Sequence, residues 1–217
     1  MSHISFSELK NWKFCPFYHK LTYIDKIDGF VGNEFTAFGR AIHDSCEKLL
    51  LEGDDGNMYA FFLDKFAEEV KTLLLKEVDL KQDLVDQMTT QGESILPLIL
   101  PGIKEYFEDF EVVSTEEQLM VPMEEFEGYK FKGFVDLVIK TPDDKYHIID
   151  WKTCGWGWDS RKRSDPMVTY QLTLYKHYFA KKHDIDPKNI ETHFALLKRT
   201  AKKNNVELFR ITSGPKK

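Results

Sequence analysis

The chain has 217 residues, 42% of them hydrophobic and 14% aromatic, which supplies enough apolar material for one buried core and excludes a disordered chain. A formal charge of −6 argues against a simple basic coat for nucleic acid, and the N-terminal residues are too mixed and polar for a secretory signal. No apolar run reaches membrane-spanning length, and three scattered cysteines without a CxxC suit neither a disulfide framework nor a zinc ribbon, so a reducing cytoplasm is the expected compartment.

The charge is unevenly spread. Residues 1–150 carry 15 Lys and Arg against 30 Asp and Glu, while residues 151–217 carry 15 against 6. A basic C-terminal third can hold a polyanion, or it can be a solvated surface that balances the acidic helices.

In chain order, Ser5-Phe6-Ser7-Glu8 fits a capping box, with Ser5 as N-cap and Glu8 at N3. A short helix follows and ends near Cys15-Pro16, and Phe17–Tyr23 forms a second short element. Asp28–Asn33, with two glycines, reads as a loop. Phe35–Leu51 reads as an amphipathic helix with Phe35, Phe38, Ile42, Leu49 and Leu50 on or near one side. Gly39 and His43 lie four apart on it, hence on a common face.

Gly53–Asn57 is a linker. Met58 to about Lys76 and Asp83–Phe110 are predicted helices, the latter interrupted near Pro97 and Pro101. Together they read as an acidic helical cap over residues 53–110. Val112–Met123 alternates as a strand, with Glu117 and Gln118 inside it, and Phe126–Gly128 turns the chain.

A hairpin follows. Phe131–Lys140 and Tyr146–Trp151 are strand-like and flank the polar turn Thr141-Pro142-Asp143-Asp144-Lys145. Folding at that turn sets Asp136 opposite Ile149 or Asp150, so two carboxylates can approach across the ladder. Alternation puts Lys152 on the face of Asp150 and Trp151 on the other. Two such acids repel unless a positive charge lies between them, and oxygen ligands suit Mg²⁺ or Mn²⁺ rather than Zn²⁺. A lysine beside that ion suits phosphodiester hydrolysis. The same spacing also fits an ordinary hairpin with a cross-strand Asp–Lys ion pair.

Cys154–Arg163 reads as a loop that alternates glycine with tryptophan before a basic run. Trp156, Trp158, Arg161, Lys162 and Arg163 suit stacking on single-stranded bases with phosphate contact, or one Trp is tucked into the core. Asp165-Pro166 starts a helix to about His183, carrying Gln171 and Tyr175 four apart. Ile190–Lys198 and Val206–Ile211 are strands joined by a basic turn.

The set Gly39-x-x-x-His43, Gly133-x-x-Asp136, Asp150-Trp151-Lys152-Thr153 and Gln171-x-x-x-Tyr175, in that order, resembles the PD-(D/E)XK nuclease superfamily in its RecB-like, Cas4-like branch. The opening Ser5–Leu9 with Cys15-Pro16 is similar too, so the resemblance covers about residues 5–178. It implies an α/β (α+β) restriction-endonuclease-like core: a central mixed sheet flanked by helices. All 217 residues form one domain, with the core at about 111–217 completed by the helix at 35–51.

The resemblance further implies a metal-dependent DNA exonuclease for recombination or repair, of the phage type. His43, Asp136, Asp150 and the Trp151 carbonyl would hold Mg²⁺ or Mn²⁺. Lys152 would be the catalytic lysine, and Gln171 and Tyr175 would support the site and the scissile strand. Linear duplex or single-stranded DNA is the implied partner, and an annealing or recombination protein and a homo-oligomer fit the same family. Some relatives hold an iron–sulfur cluster on one N-terminal and three C-terminal cysteines. Cys15 matches the first, but no cysteine follows Cys154, so no cluster is expected.

Overall fold

The computed structural model describes residues 2–27 and 29–212, so Asp28 of the predicted 28–33 loop lies outside the described residues. It begins with a strand that the sequence pattern does not announce, β1 (Ser2–Ser5), then α1 (Phe6–Phe14) and α2 (Pro16–His19), which runs on as a π-turn over Lys20–Ile24. Half of the expected capping box is present. Ser5 Oγ accepts from the Glu8 amide at 3.2 Å, but the Glu8 carboxylate turns to His19 Nε2 at 3.0 Å. Cys15 caps α2, its Sγ accepting from the Tyr18 amide.

Three long helices follow: α3 (Glu34–Glu52), α4 (Met58–Leu75) and α5 (Gln82–Phe107). α3 starts with a capping box between Asn33 and Thr36. It buries Phe38, Ile42, Cys46 and Leu49 as one stripe, while Phe35 lies off it, 47% exposed. The buried Glu34 carboxylate accepts from the Lys81 amide at 2.6 Å, so the start of α3 satisfies an otherwise unpaired donor at the start of α5.

The expected interruption of α5 at Pro97 and Pro101 does not occur. The prolines lie four apart on its exposed side, and the carbonyls they leave unpaired, those of Glu93 and Pro97, share that side. Water can satisfy them there, so the missing bonds cost the helix little.

The sheet has six strands: β1, then β2 (Glu111–Pro122), β3 (Tyr129–Lys140), β4 (Tyr146–Cys154), β5 (Ile190–Lys198) and β6 (Val206–Ile211), in the order β1-β3-β4-β5-β6 with β2 also on β3. β4 and β5 are parallel, and the crossover between them holds a short α6 (Ser160–Ser164), inside the predicted loop, and α7 (Pro166–His183). The mixed sheet flanked by helices is the α/β architecture expected. One face carries a core of α3, α4, α5 and sheet residues including Leu137, Ile149, Trp151 and Ala195. The other packs Val138, Ile148, Phe194 and Leu196 against Leu172, Tyr178 and Phe179 of α7. The helices of 53–110 thus share a core with the sheet.

Close packing of α4 on α5 rests on Gly92. A Cβ there would lie 2.2 Å from the ring of Phe62, which is fully buried. Gly92→Ala should therefore lower stability by about 1–3 kcal/mol through overpacking, despite alanine's helix preference of about 1 kcal/mol. Urea denaturation reads this directly, and an unchanged or higher midpoint would refute it.

Candidate active site

The site is built where β3 loses a neighbour. β2 borders one edge of β3 along nearly its whole length. On the other edge β1 pairs with Tyr129–Lys132 and β4 with Leu137–Lys140, so Gly133–Asp136 have no strand beside them. The hairpin register puts Leu137 opposite Ile149, and the ladder stops before Asp136 can pair with Asp150. In its place, the Trp151 amide donates to Asp136 Oδ2 at 2.7 Å. β4 continues alone on β5 as far as Cys154.

At the same level both β2 and β3 turn over. Val135 packs on the α7 side and Leu137 on the α3 side, although alternation assigns them one face. Thr115 reaches Glu47 of α3, whereas Glu117 reaches Lys182 and His183 of α7. Between them Glu116 sits at φ 45°, and the register skips the pair Glu116–Asp136. A non-glycine residue in that region costs about 1–3 kcal/mol and is held only where the surroundings impose it.

The turnover points Glu116 and Asp136 at His43 of α3. One ligand-type atom from each of the three lies within 4.8 Å of the others, and His43 Nδ1 is 3.8 Å from Asp136 Oδ2. Asp150, 1% exposed, stands behind them with the Lys152 ammonium against its Oδ2. That oxygen has no aligned hydrogen-bond donor.

The electrostatics are those of three crowded acids with one ammonium among them. Burial, then the Asp150 charge, pushes Asp136 up to about 8, against the pull of Lys152 and the Trp151 amide. Burial, then the Asp136 charge, pushes Glu116 to about 7, although Glu116 is the solvent-facing member of the group. Burial lowers the pKa of His43, keeping its imidazole neutral as a ligand must be. Burial also works against the Lys152 ammonium, but Asp150 and Asp136 outweigh it and raise its pKa.

Of the residues singled out from sequence, His43, Asp136, Asp150, Trp151 and Lys152 are thus near one another, Trp151 offering its amide to Asp136. Gln171 donates to the Tyr175 hydroxyl at 3.0 Å, and the Phe134 backbone meets that hydroxyl in the gap. Gly133 makes room: a Cβ there would be 2.8 Å from the Tyr175 ring. Gly39 brings α3 close to Thr153, where a Cβ would sit 3.4 Å from its hydroxyl.

Glu116 is the member that sequence reasoning missed. The sequence reading places Glu117 inside this strand without making it a ligand, and in the structure Ser114, Lys182 and His183 occupy its carboxylate. The consecutive acids Glu116-Glu117 were the available signal, since one of two neighbours must face each side.

The aromatic–basic loop needs correction. Trp156 is 78% exposed and remains available for stacking, but Trp158 is buried against Phe194 and Phe209. Arg163 bonds the Trp158 carbonyl and Glu207 and lies over Phe209, so it closes the core instead of facing a ligand. Lys162 lies over the Trp158 ring at 4.7 Å, and Arg161 is exposed. The aromatic rings in this stretch are large, and the sheet edge at Phe194 and Phe209 offers one of them a dry berth.

An open groove of about 570 Å³ runs over His43, Glu116 and Asp136 to Phe35, Arg40 and Thr153. Hard oxygens, a neutral imidazole and an orphaned buried carboxylate oxygen fit a divalent cation. The donors needed to hold one are present in His43, Glu116 and Asp136.

No sequence match was found among proteins of curated function. Among solved structures, a candidate exonuclease from Eubacterium rectale superposes with a TM-score of 0.63 at 15% identity, covering 97% of this chain and 73% of that one. The protein SSO0001 superposes at a TM-score of 0.40 and 15% identity over 99% and 69% of the two chains, too loosely to carry an argument. The first likeness agrees with the fold described above. The model of the PD-(D/E)XK nuclease superfamily matches residues 3–214. With that match across nearly its whole length, the chain belongs to the PD-(D/E)XK nuclease superfamily.

Proposed function

We propose that this nuclease is a divalent-metal-dependent DNA exonuclease of the RecB-like branch, hydrolysing phosphodiester bonds at DNA ends. Its task on this reading is end processing in recombination or repair, in the bacterial cytoplasm, as the product of a phage or other mobile element. The observation that carries the chemistry is the gap in the β3 edge, where His43, Glu116 and Asp136 gather beside the Asp150–Lys152 pair. The preference for ends rests on the family resemblance and on the name carried by the Eubacterium rectale neighbour.

Mg²⁺ or Mn²⁺, when bound, draws charge from the phosphate and makes water a better nucleophile. Asp136, Asp150 and Glu116 would supply oxygen ligands, His43 a nitrogen and the Trp151 carbonyl a further oxygen. The imidazole favours Mn²⁺ over Mg²⁺. Lys152 keeps its proton next to two acids, so its role is to donate to the phosphate oxygens as charge builds, rather than to act as a base. Gln171 steers the Tyr175 hydroxyl at the rear of the gap. Arg40, at the groove mouth, and Trp156 offer phosphate and base contacts.

Three outcomes test the reading. With end-labelled linear duplex, single strands and closed circles, Mn²⁺ should support loss of linear DNA only, and EDTA should stop it. Asp150→Asn and Lys152→Ala should each slow cleavage by about 10²-fold or more. A folded wild type that binds DNA but cleaves no substrate would favour the rival reading, a silent or complex-dependent subunit. Glu116→Gln should weaken Mn²⁺ binding in calorimetry and Glu117→Gln should not; equal effects would remove Glu116 from the ligand set.

A further outcome concerns pH. Asp136 at about 8 and Glu116 at about 7 lie above the ordinary carboxylate value near ~4. Between these limits the two acids hold more protons in the folded chain than in the unfolded one, so their contribution to stability falls as pH rises, while the buried neutral His43, His147 and His193 work the other way until the unfolded imidazoles are neutral. The Tm of metal-free protein should therefore drop between about pH 7 and about pH 8. Saturating Mn²⁺ should raise it more at the upper limit. A Tm that rises over that range without metal would contradict the assignment of these two acids.

A further inference from the structure

A second group of ligand-type side chains lies at the opposite end of β4 and β5. His147 and Glu191 face each other across the parallel pair, and His193 follows two residues on, opposite Ile149. His147 Nδ1 and His193 Nε2 are 3.1 Å apart, and Glu191 Oε2 is 3.9 Å from His147 Nδ1. The three ligand-type atoms lie within 4.8 Å of one another. Both histidines are buried, under Phe107 at the end of α5.

We propose that His147, Glu191 and His193 form a Zn²⁺ site, separate from the nuclease centre, that joins the start of β4 to β5 beneath the end of α5. Two imidazoles and one carboxylate are a donor set that zinc takes, with a fourth position open to water. The outer partners are those a zinc-bound imidazole needs. The far nitrogen of His147 meets Thr141 Oγ1 at 2.9 Å, and the far nitrogen of His193 meets the Tyr106 hydroxyl at 3.4 Å. Each oxygen can accept an N–H, which fixes the tautomer that turns the two lone pairs toward each other.

Glu191 is arranged in keeping. Arg210 and Lys145 both approach its Oε1, at 2.9 and 3.5 Å, and leave Oε2 for the imidazole side. Burial keeps both rings neutral, His193 falling to about 3, so neither needs to shed a proton to bind at neutral pH. Without an ion, the same pair is a single imidazole–imidazole hydrogen bond, and the experiment separates the two.

The full-length chain carrying Asp136→Asn and Asp150→Asn, stripped with EDTA, is loaded with Zn²⁺ and passed through gel filtration. One zinc per chain should remain by elemental analysis, and Co²⁺ in its place should give the intense visible bands of a four-coordinate ion. Adding His193→Gln should abolish both. Glu191→Gln keeps a side chain of the same shape and should weaken Zn²⁺ by at least about tenfold. Circular dichroism establishes that each variant is folded. Loss of zinc from the folded parent overturns the site, as does a cobalt spectrum of the free six-coordinate ion, or zinc held equally after His193→Gln. None of these readouts depends on cleavage, so failure here leaves the nuclease reading standing, and failure of cleavage leaves this site standing.

Discussion

The structure depends on one substitution of partners: the carboxylate of Asp136 takes the Trp151 amide where a ladder carbonyl would have stood. That bond ends the β3–β4 pairing without leaving a buried donor unpaired. β4 can then follow β5 for its full nine residues while β3 stays with β2. The wedge between them leaves Gly133–Asp136 without a strand partner on that edge. A single side-chain hydrogen bond therefore opens the sheet and fixes an acid at the opening.

The opening also lets the two faces of the sheet communicate. α3 lies on one face and α7 on the other, yet the Asp150 charge bears on both His43 and Tyr175. Two glycines permit the approach, Gly39 toward Thr153 and Gly133 beneath the Tyr175 ring. The positive φ at Glu116 is the strained part of the arrangement, and it lies at the site. Turning β2 over there sends Thr115 to α3 and Glu117 to α7, so each side chain finds a polar partner after the twist.

The basic C-terminal third does different work from what its composition suggested. Arg163 and Lys198 converge on Glu207, Lys182 on Glu117, Lys181 on Glu124 and Arg210 on Glu191. Lys181 and Lys182 thus tie α7 to β2 and the turn after it, while the other pairs close within the C-terminal third itself. Trp156 and Arg161 stay exposed on the loop after β4, and Trp158 is absorbed into the core.

Sequence alone determined the elements and the spacing of the chemistry. Alternation and turn residues set the bounds of the strands from 190 to 211 and the Asp165 cap, because each depends on neighbours within a few residues, and they narrowed the hairpin register to two choices. The set His43, Asp136, Asp150, Lys152, Gln171, Tyr175 was legible only through the family resemblance. Tertiary structure alone decided the rest. Whether β1 pairs with β3, whether the prolines of α5 face water, which tryptophan is buried, and whether Glu116 or Glu117 enters the site all turn on what lies across from them. The last is the clearest case. Period two holds only while the backbone stays extended, and Glu116 at positive φ sends its neighbours Thr115 and Glu117 to opposite faces.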